Sequence, residues 1–383
     1  MEYSGRRISI PLLRPRNGGK HIEPKVLIES YSPNCKIQAI VEEDNRCVYF
    51  YLFGELLDEE KFMNACWVRN YKKAPEQTDV QAMRDGMAPM LAAEYCKHPE
   101  GAERLDASKL EIVWFEEGDG AALLYEHEIL SVIPGWSSLE CPGYSRDCIK
   151  ESEYTWPLGT PSDNVLHERV RKAKAFWDNW NENSFGEIQD AYLQAIEKSL
   201  GKYDKYYAID GGHWPPKAMV TINKDNLTYI VTLGVSIIPQ PKVEMYYEDP
   251  RPYRRFELGF VIETELLDRN RNGILSYISS LTAYPWDCVT WLGHGHTIPC
   301  GQFWPEDKQF PFVLLLSGSN TGKGPSIDFP AFNEDTVNVL WLVPITSSER
   351  EFAEEHGSEA LLARYVKNME ELWVFRGESK FNI

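Results

Sequence analysis

The chain has 383 residues, with 40 lysines and arginines, 58 aspartates and glutamates, and a formal net charge of −18. An acidic surface repels phosphate backbones and anionic lipids, so the composition argues against nucleic-acid and membrane partners. Solubility is the default explanation of this charge, and if the charge has a further purpose, a basic protein is the natural target. Hydrophobic residues make up 43% of the chain and aromatic residues 13%. These fractions are typical of a globular protein, and the length predicts two domains.

The N-terminal sequence MEYSGRRISIPLL lacks the basic, apolar and small-residue segments of a secretory signal. No stretch approaches the roughly 18 uninterrupted apolar residues of a membrane span. The eight cysteines are scattered and form no C-x-x-C pair, which predicts reduced and mostly buried thiols. We therefore expect a cytoplasmic protein.

Short runs of β-branched and aromatic residues dominate the first 150 residues. They predict strands at 25–30, 36–41, 47–53 and 110–115, with a longer strand at 121–133. A helix is predicted around 78–92. We interpret residues 1–150 as an N-terminal α+β domain, and residues 151–162, at the end of a Pro- and Gly-rich stretch, as a linker.

Helices and further strands follow and predict a second domain at 163–383. Leu166, Val170, Ala173, Trp177 and Trp180 form one apolar stripe of a helix. A Ser184–Glu187 capping box opens a second helix that stops at Gly201. The remainder predicts a hairpin around KDNL, strands at 255–263, 312–317 and 337–343, and helices near 273–283 and 347–372, the last broken at Gly357. The fold class is therefore α+β, with two domains.

The segment GHGHTIPCG (293–301) contains His294, His296 and Cys300, whose side chains suit zinc. No fourth ligand is visible nearby, and the flanking glycines favour a structural turn. A metal-dependent hydrolase centred on this turn is the alternative function; we assign no metal, cofactor or catalytic residue. DRNRNG (268–273), GSNTGKG (318–324) and EEGDG (116–120) imitate functional loops, but each is better explained as a polar turn or a mobile surface loop.

The segment QPKVEMYYEDPRPYRR (240–255) interleaves tyrosines with charged residues. Tyrosine and arginine are enriched at the residues that dominate protein–protein binding energy. The alternative is a surface loop whose tyrosines pack on its own domain. The candidate partner-binding residues are Tyr246, Tyr247, Glu248, Asp249, Tyr253, Arg254 and Arg255.

From about Phe185 to Ile383 the order of segments resembles the suppressor-of-fused domain. The matching landmarks are VTLGVS (231–236), FEL (256–258), LTAYPW, GHGHTIP, FVLLLS, VNVLWLVPIT and the closing LWVFRGESKFNI. The N-terminal half, with CWVRNY, VWFEEGDGAALL and GYSRDC, resembles what long bacterial members carry ahead of this domain. The resemblance implies a suppressor-of-fused-like mixed sheet flanked by helices in the C-terminal domain.

This resemblance also implies protein binding rather than catalysis. The founding animal member is a non-enzymatic regulator of Gli transcription factors and grips a short extended peptide by main-chain pairing. Bacterial members are associated with toxin systems and are thought to act as immunity proteins. Glu248 and Asp249 lie near the family's acidic peptide-binding position, whereas Pro239 stands where the family has a tyrosine. We expect a bacterial protein-binding module, immunity or regulatory, whose partner is another protein, with a toxin domain as one possibility.

Overall fold

In the computed structural model the chain divides into two compact units, Met1–Ala175 and Phe176–Ile383. The structure describes residues 24–55, 61–84, 86–138, 140–179, 182–301, 303, 309–318, 324–365 and 371–381. Among these residues we find no helix with the length and apolar character needed to span a bilayer. The predicted α+β class is confirmed.

A four-stranded antiparallel sheet begins the N-terminal unit. Its neighbouring strands are β1 (Lys25–Tyr31), β2 (Ile37–Glu43), β3 (Cys47–Glu55) and β4 (Lys61–Asn70). The first three strands match the predicted strands to within two residues at each end. β4 was not predicted, although its Cys66, Trp67 and Val68 are buried in the sheet.

A second sheet in this unit follows the order β5 (Leu110–Trp114), β6 (Ala121–Tyr125), β7 (Glu128–Ile133), β8 (Tyr144–Ser145) and β9 (Trp156–Pro157). The prediction of one long strand at 121–133 is wrong, because β6 and β7 form a hairpin. Glu126 and His127, with φ values of 53° and 68°, make the turn. Positive φ at both central residues is what a tight hairpin turn requires.

The helices of the N-terminal unit differ from prediction at one place. Helix α1 covers only Val80–Arg84, so the predicted helix at 78–92 is wrong beyond Arg84. Helix α2 (Leu166–Asn179) begins as predicted, and its buried Leu166, Val170 and Ala173 pack in one core with Phe115 and Leu158. Trp180 lies outside the described residues.

The segment 151–162 is built into the N-terminal unit. β9 pairs in parallel with β8, and Leu158 is 1% exposed in the core that also receives α2. The division between the two units falls after Ala175, later than the segment that the sequence suggests as a linker. The reason is apolar burial, because the start of α2 packs on the core of the preceding sheet.

Helix α3 (Glu182–Leu200) lies in the C-terminal unit and packs on its core. It begins before Ser184, so the predicted start at the Ser184–Glu187 pair is wrong and Ser184 lies within the first turns of the helix. The predicted end at Gly201 agrees with its φ of 107°. Buried Tyr192 and Ile196 pack this helix into the hydrophobic core of the C-terminal sheet.

The C-terminal unit contains a mixed sheet. Its strands are β10 (Lys205–Ala208), β11 (Ala218–Lys224), β12 (Leu227–Leu233), β13 (Arg255–Glu263), β14 (Thr297–Pro299), β15 (Phe312–Ser317), β16 (Val337–Ile345) and β17 (Val374–Phe375). The order is β10-β11-β12-β13-β16-β15-β14, and β17 pairs with β13. β13 pairs in parallel with β16 and β17, while the other pairs are antiparallel.

Helices flank this mixed sheet, as predicted. They are α4 (Thr264–Arg269), α5 (Arg271–Leu281), α6 (Tyr284–Asp287), α7 (Ser347–His356) and α8 (Ser358–Leu362). Thr346 and Glu349 form a capping box at the start of α7. The predicted break at Gly357 is confirmed, because this residue has a φ of 90° and separates α7 from α8.

The loops that imitate functional motifs are structural where they are described. EEGDG joins β5 to β6, and its Glu117 and Asp119 are buried, so this turn is not the solvated one that the sequence suggests. DRNRNG spans the junction of α4 and α5, where Asp268 forms an ion pair with Arg271 at 2.6 Å. Residues 319–323 of GSNTGKG lie outside the described residues, and the prediction of a mobile loop stays a prediction.

Candidate functional site

Gln240 ties both ends of the loop 240–255 to the segment that precedes the histidine turn. Its side chain is buried, and its amide nitrogen donates to the carbonyls of Tyr253 at 3.1 Å and Leu292 at 2.8 Å. The amide oxygen accepts from the N–H of Leu292 at 2.8 Å. Two regions that the sequence suggests as separate sites are therefore adjacent in the fold.

Two further side chains fix the ends of this loop. Trp286, buried in α6, donates its indole N–H to the carbonyl of Pro239 at 3.1 Å. Asn338 on β16 donates to the carbonyl of Pro252 at 2.5 Å. Because backbone carbonyls are held at both ends, the loop has a defined conformation at its base.

A buried ionic cluster supports the loop from below. Asp335 accepts from the guanidinium of Arg254 at 2.8 and 2.9 Å and from Arg255 at 2.6 Å. Arg255 and Asp335 are fully buried, and Arg255 also donates to the carbonyls of Ser236 and Ile237. The fold therefore removes Arg255 from the residues that could touch a partner, and it commits most of Arg254, 23% exposed, to this internal role.

The end of β12, the strand that precedes the loop, is held by buried Glu257 on β13. One carboxylate oxygen accepts from the backbone N–H groups of Gly234 and Ser236 and from the Ser236 hydroxyl, at 2.7 to 3.1 Å. The other accepts from Thr232 at 2.8 Å. Burial raises the pKa of Glu257, and these hydrogen bonds act against that increase. The left-handed Gly234, with a φ of 94°, completes the turn after β12.

The tyrosines of the loop form an aromatic cluster with Trp291, which we define as Tyr246, Tyr247, Tyr253 and Trp291. Tyr247 and Tyr253 stack with ring centroids 3.9 Å apart. Trp291 contacts Tyr246 at 5.4 Å and Tyr247 at 5.6 Å. Tyr246 is 65% exposed and Tyr253 38% exposed, so the cluster packs internally and still presents ring surface to solvent.

The acidic residues of the loop are on its surface. Glu248 and Asp249 are both exposed. Asp249 accepts from the guanidinium of Arg251 at 2.8 and 2.9 Å, and these hydrogen bonds lower the pKa of Asp249. Of the seven predicted residues, the three tyrosines belong to the aromatic cluster, Glu248 and Asp249 are exposed on the same loop, and Arg254 and Arg255 are bound to Asp335.

Two cavities adjoin the aromatic cluster, and Trp291 and Leu292 line both. The larger has a volume of about 490 Å³ and is also lined by Tyr246, Tyr284, Thr290, His296, Thr297 and Glu354. The smaller has a volume of about 160 Å³ and is also lined by Tyr247, Tyr253, His294, Ser317 and Asn338. The larger volume falls within the range of small-ligand pockets.

The histidine turn has a structural role in this arrangement. The backbone N–H of Ser317 donates to Nδ1 of His294 at 3.0 Å, so Nε2 carries the proton toward Glu359 at 3.0 Å. The ring of His296 packs on Trp291 at 4.4 Å, and burial lowers the pKa of His296. Both rings therefore serve to join β15, α8 and Trp291.

The metal hypothesis at this turn is not supported. The Cys300 thiol is buried and donates to the Phe310 carbonyl at 3.2 Å, and burial raises its pKa to about 12. Within the part of the chain that the structure describes, no three His, Cys, Asp or Glu residues are grouped to hold a metal ion.

Sequence reasoning missed Gln240 and Trp291 as members of the site. Trp291 stands two residues before Gly293, at which an added Cβ would lie 2.3 Å from the Trp291 ring. That glycine spacing was a signal of close aromatic packing. Nothing in the sequence, however, indicated that this tryptophan would meet tyrosines about 40 residues earlier.

Comparisons with known proteins find similarity to one family. The family model for suppressor of fused protein matches residues 214–376. A chain of the Sufu-Fu complex crystal structure is similar with a TM-score of 0.36 and 17% identity, covering 51% of this chain and 91% of that one. No curated protein matches the sequence. On the family-model match, the C-terminal part of the chain is a suppressor-of-fused-like domain, and an additional N-terminal region precedes it.

Proposed function

We propose that this chain is a non-enzymatic protein-binding module and that its partner contacts the aromatic cluster together with Glu248 and Asp249. The observation that carries the proposal is the combination of exposed tyrosine rings with a rigid base. Tyr246 is 65% exposed, whereas Gln240 and Arg255 below the loop are at most 1% exposed.

A prearranged aromatic surface favours binding for a physical reason. Rings that are already stacked lose little conformational freedom when a partner arrives, so more of the gained burial contributes to affinity. Tyrosine and tryptophan are also the residue types that most often dominate interface energetics. The match to the suppressor-of-fused family adds support, because that family acts through protein interactions.

For the biological role we propose a bacterial immunity protein that neutralises a toxin domain. The support is the resemblance of the whole chain to long bacterial suppressor-of-fused proteins, together with the net charge of −18, which favours a basic target. A regulatory binding protein without a toxin is the competing role. Co-expression with the toxin-like gene nearest to its own separates them, since only an immunity protein restores growth.

The binding site is tested by affinity capture from the native host. The bait carrying Tyr246→Ala, Tyr247→Ala and Glu248→Ala should lose a partner that the wild-type bait retains, and the purified pair should bind with the same difference. The matched control is Tyr31→Ala, which removes a ring that is 63% exposed in the N-terminal unit. Equal affinity of the wild type and the triple variant for the purified partner would refute the site.

A further inference from the structure

The cavity of about 490 Å³ beside the aromatic cluster has the chemistry of a cation-binding pocket. We propose that it receives an arginine side chain presented by a basic segment of the partner. This inference rests on the proposed protein-binding function and specifies what the partner must supply. The larger cavity is called the arginine pocket below.

Aromatic rings give this pocket its first cation-binding property. Tyr246, Tyr284 and Trp291 all line it. The negative faces of such rings attract guanidinium groups, and arginine also stacks on them better than lysine does. Tyr246 is 65% exposed, so its ring is accessible to an incoming side chain.

The charge of the lining points the same way. Glu354 is the one carboxylate among the lining residues that the structure describes, and neither lysine nor arginine is among them. Among the described lining residues, His296 has the titratable side-chain nitrogens, and its burial lowers its pKa and so favours the neutral ring at neutral pH. The pocket therefore combines aromatic faces with a single negative group.

Glu354 already has one intramolecular partner. Its Oε1 accepts from Arg350 one helical turn earlier at 2.5 Å, and the Arg350 guanidinium lies over the ring of Phe312 at 4.3 Å. This helix-surface pair leaves Glu354 53% exposed. A carboxylate has about four acceptor positions, so a second guanidinium can share it.

The occupant is argued from charge complementarity. The chain carries a formal net charge of −18, which concentrates basic segments at its surface. An apolar side chain would fill the same space but would leave the Glu354 carboxylate without a partner from the ligand. A partner aspartate or glutamate would be repelled by it.

The test uses the full chain and two small probes, N-acetyl-arginine amide and its neutral isostere N-acetyl-citrulline amide. The readout is the indole N–H signal of Trp291 in NMR spectra, identified by its absence in Trp291→Phe. We expect a saturable shift with the arginine probe and at least about threefold weaker binding of the citrulline probe, because the isostere lacks the cation–π attraction.

Two glutamate variants on the same helix sharpen the test. Glu354→Gln should weaken the arginine probe about two- to fivefold, the range expected for loss of an exposed ion pair. Glu355→Gln should change nothing, because the 78% exposed Glu355 does not line the pocket. Equal binding of the two probes, no saturable shift of Trp291, or equal effects of the two variants would each overturn the proposal.

Failure of the arginine pocket can be distinguished from failure of the proposed binding site. If the aromatic cluster captures a partner but the two probes bind alike, the arginine pocket is refuted and partner binding stands. If the arginine probe binds selectively but no partner affinity depends on Tyr246, Tyr247 and Glu248, the pocket stands and the proposed site is refuted.

Discussion

Replacing Gln240 with leucine tests whether one buried amide prearranges the candidate site. Leucine has a similar size but offers no hydrogen bond. In the wild type the amide satisfies the carbonyls of Tyr253 and Leu292 and the N–H of Leu292. In Gln240→Leu these backbone groups lose their partner while the surrounding packing is largely retained.

The expected magnitude follows from the burial of each group. Leu292 is 3% exposed, so its N–H and C=O remain unpaired in the variant, at a cost of about 1–3 kcal/mol each. Tyr253 is 38% exposed, and water can replace the amide at its carbonyl. We therefore expect a loss of about 2–6 kcal/mol, concentrated in the loop and in the segment around Leu292.

Hydrogen exchange measured by mass spectrometry locates the effect. A local cost of about 2 kcal/mol corresponds to roughly 30-fold faster exchange. We expect it in peptides covering 240–255 and 290–296, with β13 less affected. Gln189→Leu is the control, because this side chain makes an exposed hydrogen bond to the Tyr206 hydroxyl at 2.7 Å. If Gln240→Leu folds and leaves exchange in both segments unchanged, the anchoring role is refuted.

Three further predictions concern charge and thiol chemistry. Asp335→Asn should lower the free energy of unfolding by about 3–5 kcal/mol in urea titrations, because it removes the carboxylate charge that buried Arg255 contacts. Asp249→Asn, at the surface, should leave the free energy of unfolding nearly unchanged, and similar losses in the two variants would contradict this account. Burial lowers the pKa of His296 below its ordinary value of 6.5, so the unfolded chain takes up the proton first and the free energy of unfolding should fall as pH drops below about 6.5. His296→Gln should flatten that pH dependence. His127→Gln should not, because the ring of His127 is 93% exposed. All eight cysteines are buried, and burial raises the pKa of Cys148 to about 11 and of Cys66 and Cys96 to about 12. Ellman's reagent should therefore label the native protein at pH 8 far more slowly than the urea-unfolded chain. A fast labelling phase in the native protein would show an accessible thiolate and contradict this prediction.

Local pattern was sufficient for most elements of the C-terminal unit. The run RFELGFVIE predicts β13 from end to end, and the glycine at position 357 predicts the break between α7 and α8. Such features depend on residues that are neighbours in sequence. Prediction failed where the local turn signal was weak, as at Glu126 and His127, which turn the segment 121–133 into a hairpin without a glycine.

The roles of charged residues could not be read from the loop sequence. The sequence does not show which of the loop's charged residues are buried. In the structure the two arginines, Arg254 and Arg255, are bound to Asp335, whereas Glu248 and Asp249 are exposed. Asp335 lies about 80 residues later in the chain. Which arginine meets a buried carboxylate depends on the pairing of β13 with β16, and local spacing does not carry that information.

Periodicity, the positions of glycine and proline, and residue type were enough to predict the α+β class, the principal strands and helices of the C-terminal unit, and the aromatic loop at 240–255. Long-range packing joined that loop to Trp291 and the histidine turn, buried Arg255, and formed the cavity beside Glu354. These contacts link residues that are distant in sequence, and packing of the mixed sheet and its helices, rather than local propensity, brings them together.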